Sequence, residues 1–562
     1  MSGSGGGWVE RSLIDRRRFL VSGLGAAGAV ALGGLVAACG GDDTSGAGQT
    51  GGGGGTPQRG GMLRVGTSDA VATNYFRGDA LGTSDSSMVQ FAFPLFIGAA
   101  DRLALDHGLA TSYEAAEDGL THTLALRPGL TFHDGSPCDA EAVAENLRSG
   151  FFPDHPLRDE AGVYRAQSTF FGEPTSVASV DVVDEVTLQI VLVRPIPDIR
   201  DGLYLGNPIM NPAVLARPDY GTDLGALRDA GSGPFRVTSF SPGSFIEYER
   251  FDGFYEDVLL DALRMENISD PAARALALRA GDIDVASGLS KADHDAFAGD
   301  GSFEAVIAAS PTMNVAFWFA WQRQPDTADP RVREAIALAM NREAYREAFF
   351  HAGTAQPSTQ AVVHPDRLGY NDAIEERPYD PDRARELLDE AGVTDLHLSL
   401  TGVESTTVTP EERAMLQAMA SDLGEVGIDV ELVITDPATV FAQFMDHDGF
   451  LLQLGPAAES TVFPLVFGPP PGMEAFPPND PRSDPEVGRL LGDALATTDL
   501  EERDRLLQEL QLLDHEELVV TIPIALISRS VIARAGVRDV RVSPAELDSY
   551  HQAWVEGAGD GG

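Results

Sequence analysis

The sequence predicts an α/β protein of two or more lobes. Three observations predict it. Segments of strand character alternate with segments of helical spacing from Met62 onward, which is the pattern of layered α/β architecture. The dipeptide Asp-Pro recurs ahead of apolar-periodic runs, at Asp270-Pro271, Asp329-Pro330, Asp380-Pro381 and Asp484-Pro485. The chain beyond Met62 is about 500 residues, more than a single hydrophobic core organises.

Each element follows from local chemistry. Met62 to Gly66 reads as an opening strand. Thr121 to Arg127 alternates, a turn follows at His133-Asp134-Gly135-Ser136-Pro137, and Ala140 to Leu147 has helical spacing. Ser179 to Val193 is a hairpin candidate with its turn at Asp184-Glu185, and Phe235 to Phe240 pairs with Phe245 to Arg250 around Ser241-Pro242-Gly243-Ser244. At each Asp-Pro, the aspartate caps free N–H groups and the proline fits the first turn without losing a bond. The run Asp380 to Gly392 has the full syntax, with Ala384, Leu387, Leu388 and Ala391 on one face and a terminal glycine. A helix over Glu411 to Glu425 precedes a strand over Gly427 to Val433.

The formal net charge is −46. That excludes nucleic acid as a partner and disfavours anionic headgroups. An acidic coat serves solubility and the monomeric state; selection of cationic solutes is the alternative. Lys291 is the only lysine. Neither His-x-x-x-His, Cys-x-x-Cys, a phosphate-binding Gly-x-x-x-x-Gly-Lys nor a Gly-x-Ser-x-Gly elbow occurs, so no metal site, cofactor or catalytic residue is expected.

The N-terminus carries an address. Asp15-Arg16-Arg17-Arg18-Phe19-Leu20 is a twin-arginine pattern, followed by a Gly/Ala-rich apolar run from Val21 to Ala38 and by Val36-Ala37-Ala38-Cys39-Gly40. This reads as a bacterial export signal ending in a lipobox, with Cys39 as the lipidated first residue of the mature chain. An uncleaved transmembrane anchor is the alternative, for which the run is only marginally long. Either way the globular part faces outward. Residues 40–61, including Gly51 to Gly55, form a flexible tether. If Cys39 is acylated, Cys138 has no disulfide partner.

Six motifs then fall in a recognisable order. They are Leu126-Arg127-Pro128-Gly129-Leu130-Thr131-Phe132-His133-Asp134-Gly135-Ser136-Pro137; Gly231-Ser232-Gly233-Pro234-Phe235; Leu276 to Asp284; Asp329 to Ile336; Pro378 to Gly392; and Gly427-Ile428-Asp429-Val430. Together they resemble the family 5 extracellular solute-binding proteins, the peptide/nickel-type receptors of ABC importers, from Met62 to about Ile532. The resemblance implies a two-lobed periplasmic-binding-protein-like fold with an extra subdomain and a hinge of crossing strands. It implies lobe one at 62–93, 208–308 and 518–562, the extra subdomain at 94–207, and lobe two at 309–517. Crossing strands are expected near Ala305–Ala316 and Leu518–Leu526. The implied function is capture of a peptide or peptide-like solute between the lobes and delivery to membrane permease subunits. The rivals are a lipid-anchored secreted hydrolase and a solute-sensing surface protein of the same fold.

The resemblance also implies site residues. Ser68 and Asp69 follow the first strand, where family members contact ligand. Phe317, Trp318 and Trp321 are either core or a cleft wall on which ligand stacks. The family's tryptophan and aspartate are absent from Gln453 to Thr461, leaving Glu459 as the nearby acid for a ligand ammonium. Their loss disfavours a dipeptide and favours a longer peptide or an uncharged solute. His133 and Asp134 belong to a structural turn, and Cys138 to a small apolar site. No histidine cluster suggests nickel.

Overall fold

The computed structural model describes residues 56–67, 85–98, 105–152, 154–157, 176–196, 198–204, 208–218, 224–311, 313–319, 325–361, 363–365, 367–403, 411–435, 448–455, 459–469, 476, 480–543 and 548–557. Cys39 with the export segment, Ser68, Asp69 and Trp321 lie outside these residues, as does the side chain of Glu459.

The chain opens with β1 (Met62–Thr67) and a short pair, β2 (Phe96–Gly98) and β3 (Leu105–His107). A four-stranded antiparallel sheet follows, made of β4 (Ala110–Ala115), β5 (Thr121–Leu126), β6 (Val177–Val182) and β7 (Thr187–Leu192), in the order β4-β5-β7-β6. β5 and β7 alternate strictly between buried and half-buried residues, as strands with one covered face must. Helix Ala140–Phe151 covers that face, capped by Asp139.

β8 (Phe235–Ser241), β9 (Phe245–Arg250), β10 (Ala262–Asn267), β11 (Val285–Ser287) and β12 (Phe303–Ile307) return to β1. The chain then passes to β13 (Met313–Phe319), β14 (Ala355–Pro357), β15 (His397–Val403), β16 (Asp429–Thr435), β17 (Gly449–Leu454) and β18 (Thr521–Ile527). These six form one mixed sheet, ordered β14-β18-β13-β17-β15-β16. β19 (Ser530–Arg534) goes back to the first group and completes a seven-stranded sheet, ordered β12-β19-β11-β1-β10-β9-β8. β20 (Val537–Arg538) and β21 (Trp554–Val555) close the chain as a small pair.

The two large sheets are thus joined twice by nearly continuous strands: β12 to β13 through 308–312, and β18 to β19 through Ser528 and Arg529. Separate cores lie beneath the seven-stranded sheet, the six-stranded sheet and the four-stranded sheet. β13 and β18 are buried at every position, as central strands covered on both faces are.

Every Asp-Pro signal caps a helix. Asp270, Asp329, Asp380 and Asp484 accept backbone N–H bonds at the starts of Pro271–Ala280, Pro330–Ala339, Pro381–Ala391 and Pro485–Ala496. Gly392 ends the third helix at φ +74°, a conformation that penalises any side chain with a Cβ. The helix expected from Ala140 runs one turn further, to Phe151, because Leu147 and Phe151 both enter the subdomain core.

Candidate functional site: a cleft at the carboxyl ends of two sheets

Strand direction places the site. In the first sheet, β1 runs parallel to β10 and β11, with Thr67 opposite Asn267 and Val65 opposite Val285. β11 is antiparallel to β19, which starts at the crossing with Ser530. The carboxyl ends of β1, β10 and β11 therefore point toward the crossings. In the second sheet, β13 leaves its crossing at Met313 and is antiparallel to β17, so Leu454 lies beside Asn314. β15 and β16 run parallel to β17 and to each other. Their carboxyl ends also point toward the crossings. Open α/β sheets take ligands in the crevice outside such ends. Here two sets of ends meet at a double-stranded hinge.

Both sheets are braced at the ends of these strands away from the crossings. Arg64 on β1 clamps Asp284 just before β11, with Nε 2.9 Å from Oδ2 and Nη2 2.7 Å from Oδ1, and the Arg64 backbone N–H donates to the same carboxylate. The Asp284 hydrogen bond holds the guanidinium above its ordinary value. A Cβ at Gly66 would come within 2.4 Å of Ile283 Cδ1, so the tip of that side chain would have to shift. In the second lobe the buried Arg333 donates to the carbonyls of Leu518, Thr327 and Ala328, securing the approach to β18. Burial lowers it to about 10. Asp514 accepts from the N–H of Val520 at 2.6 Å, and burial raises its carboxyl to about 6. Val519, between these anchors, takes φ +47°, a costly conformation for a β-branched residue.

Several contacts span the bodies. The N–H of Lys291, at the start of the first-lobe helix Lys291–Ala298, donates to Glu411 Oε1 at 2.7 Å, beside the second-lobe helix Glu412–Glu425. Arg503, on helix Leu500–Leu513, reaches Asp198 of the extra subdomain at 3.4 Å. Its side chain is only 1% exposed.

Of the residues expected at the site, Ser68 and Asp69 directly follow the carboxyl end of β1 in the chain and lie outside the described residues. Glu459 opens helix Glu459–Phe467, five residues beyond the carboxyl end of β17. Trp318 sits on β13 opposite Phe450 and Thr521, its ring 5.7 Å from that of Phe450. It is five residues from the crossing, roughly 17 Å along a strand, and packed in the second-lobe core. That is the core alternative for this tryptophan, although its indole N–H has no acceptor. Trp321, the other aromatic candidate, lies outside the described residues.

His133 is buried, with Nε2 3.0 Å from the Gly233 carbonyl, and burial lowers its pKa to about 4. Asp134 turns away to Ser136 and Asn211. The adjacent pair is thus two separate structural fixtures. Cys138 is buried and its thiol is pushed upward by burial, far from thiolate reactivity. Among the described residues no group of three or more His, Cys, Asp or Glu is arranged to hold a metal, and no helix is long and apolar enough to cross a membrane.

The fold and the doubly crossed cleft define a two-lobed solute receptor. The model of the bacterial extracellular solute-binding proteins, family 5, matches residues 104–465, and the chain belongs to that family. It is 28% identical over 445 residues to the glutathione-binding protein GsiB of Salmonella paratyphi A, covering 77% of this chain and 83% of that one. Among solved structures it is similar to the periplasmic binding protein DppA of Helicobacter pylori in complex with the peptide STSA. There the TM-score is 0.73 and the identity 20%, over 89% of this chain and 99% of the other. It is also similar to NikA of Brucella suis in complex with Fe(III)-EDTA, at TM-score 0.72 and 22% identity, over 88% of this chain and 100% of that one. The structural likenesses speak for the fold.

Sequence reasoning missed Arg503, Asp198, Lys291 and Glu411 as groups that meet across bodies. No local signal marks them: Arg503 and Asp198 are 305 residues apart and Lys291 and Glu411 are 120 apart.

Proposed function

We propose that this protein is the lipid-anchored capture subunit of an ABC importer for peptides or peptide-like solutes, acting as a monomer outside the cell membrane. In this reading, 62–93, 208–308 and 518–562 form lobe one, 94–207 the extra subdomain and 309–517 lobe two. Ligand enters the cleft, adds contacts available only when the lobes close, and shifts the open–closed equilibrium. The closed form is what the permease subunits accept. Chemistry on the solute has no part in it.

The observation that carries the reading is the meeting of two sets of parallel-strand ends at two crossing strands, in a chain of the solute-binding family. A micromolar dissociation constant corresponds to about 8 kcal/mol, within reach of a few buried hydrogen bonds and an apolar contact. The glutathione-binding relative supports a small peptide-like ligand. Ser68, Asp69, Trp321 and Glu459 remain the proposed contact set, with Glu459 at the mouth of its helix receiving a ligand ammonium; Trp318, packed in the second-lobe core, leaves it.

Calorimetry against glutathione, a dipeptide, a tetrapeptide and longer peptides tests this. At least one should bind in the micromolar range and emerge unchanged, and Glu459→Gln should weaken ligands with a free amino terminus more than their acetylated forms. A panel without binding, or a solute converted to product, refutes the reading.

A further inference from the structure

We propose that His294 and His351 form a proton-sensitive clasp between the two lobes, which loosens in acid and opens the cleft. The proposal rests on the two-lobed capture reading above and adds regulation to the same site.

The geometry is specific. His294 lies on helix Lys291–Ala298, which packs on β12 and β19 of the first lobe. His351 follows helix Arg342–Phe349, which packs against β14 and β18 of the second. Their rings stack with centroids 3.9 Å apart and planes within 1°. His294 is only 2% exposed, and its Nε2 lies 2.7 Å from Ser530 Oγ, the first residue of β19 beyond the second crossing. His351 Nε2 lies 3.0 Å from the Leu289 carbonyl. A carbonyl only accepts, so that nitrogen carries a hydrogen and points back into the first lobe. Asp295 completes the junction: it accepts from the Ala352 N–H at 3.0 Å and from Lys291 Nζ at 2.7 Å.

The charged surroundings set the sign. Lys291 and Asp295 face the pair from its own helix, with Asp295 Oδ1 3.3 Å from His294 Nδ1, and Glu411 of the second lobe is held beside them through the Lys291 N–H. Arg529, next to Ser530, is paired with Asp548. Burial, then the neighbouring His351 ring, lower His294 to about 4. Burial lowers His351 as well. Against the opposing effect of burial, the Ala352 N–H and Lys291 hold Asp295 below its ordinary value, so it stays ionised, and its single negative charge, shared with Lys291, does not offset two imidazolium rings. Two imidazolium rings at stacking distance repel.

With the lobes apart, each imidazole is solvated and titrates near its ordinary 6.5. Below that value the open form holds more protons than the clasped form. Closure is therefore fully favoured above 6.5 and weakens as pH falls toward 4. For His294 alone, 6.5 in the open form against about 4 in the clasped form gives about a tenfold loss of affinity between pH 7.5 and 5.5. His351 adds to this. Glu411 acts in the opposite direction, because burial raises its pKa in the clasped form. Removing its charge should steepen the response.

The test reads lobe separation directly. Leu276→Cys on the first lobe (68% exposed) and Leu465→Cys on the second (53% exposed) take a donor–acceptor dye pair. Energy transfer is followed from pH 7.5 to 5.0, with and without the best-binding peptide, alongside calorimetric affinity. Separation should grow and affinity fall in acid. His351→Gln, which retains a donor for the Leu289 carbonyl, should make both curves shallower while leaving the part that burial of His294 supplies, and Glu411→Gln should steepen them. A histidine-dependent separation with no peptide bound keeps the clasp and sinks only the capture reading. An unchanged response in His351→Gln, or no response in the parent, overturns the clasp. Should the variant not fold, NMR titration of the parent decides: ordinary values near 6.5 for both rings overturn it, and a depressed value for His294 supports it.

Discussion

Gly231 has no room for a methyl group. A Cβ there would lie 2.4 Å from the Phe91 carbonyl oxygen and 2.4 Å from His133 Cε1. The first obstacle is backbone and the second is a ring fixed by Gly233 and by Phe91, whose own ring is 5.7 Å away. Neither can move without disturbing the junction of the extra subdomain with the first lobe. Gly231→Ala should cost about 2–3 kcal/mol, the range of overpacked cores, or more. Chemical denaturation reads this as a lower midpoint, and a change under about 0.5 kcal/mol would mean that the junction yields. The residue-scale chemistry of this turn was legible in outline. The run from Leu126 to Pro137 marks it, but the neighbour that forbids a side chain at Gly231 lies about a hundred positions away in the chain and leaves no trace in the local sequence.

Caps govern the helices. Asp270, Asp329, Asp380 and Asp484 each accept a hydrogen bond from a free backbone N–H and precede a proline that fits the first turn. Replacing any one by alanine should cost about 1 kcal/mol. Asp270 and Asp484 lie in different lobes, so the double variant should lose about the sum. Differential scanning calorimetry checks both values, and a strongly non-additive pair would reveal coupling between lobes. Elements of this kind were readable because their causes are local: alternation in β5 and β7, the Asp-Pro starts, and the Gly392 stop. Strand order was not readable. Nothing near Ser530 announces that β19 inserts between β11 and β12. The cleft was legible only as the segments after strands, such as Ser68 and Asp69, and the groups that touch across it came from pairs far apart in the chain.

At the scale of the whole molecule, the proposed lipid anchoring can be set against the charge. A chain with a formal charge of −46 is repelled by anionic lipid. In the proposed reading, retention at a membrane comes from the N-terminal segment, where a single acyl chain holds only marginally and two hold durably. Cys39→Ala should shift the protein from the membrane fraction to the soluble exported fraction, and unchanged fractionation would count against lipid attachment. Lys substitution of both Arg16 and Arg17 should abolish export if the twin-arginine route is the one used.

The double crossing has a consequence for biosynthesis. Both sheets wait for the same late stretch: β18 fills a place beside β13, and nine residues after its start β19 enters the first sheet. A nascent chain halted before Thr521 leaves a gap in each lobe at once. The ribosome must release nearly the whole polypeptide before either half can finish assembling. A premature stop then yields no half-built receptor, only a chain with two open seams for proteases to find.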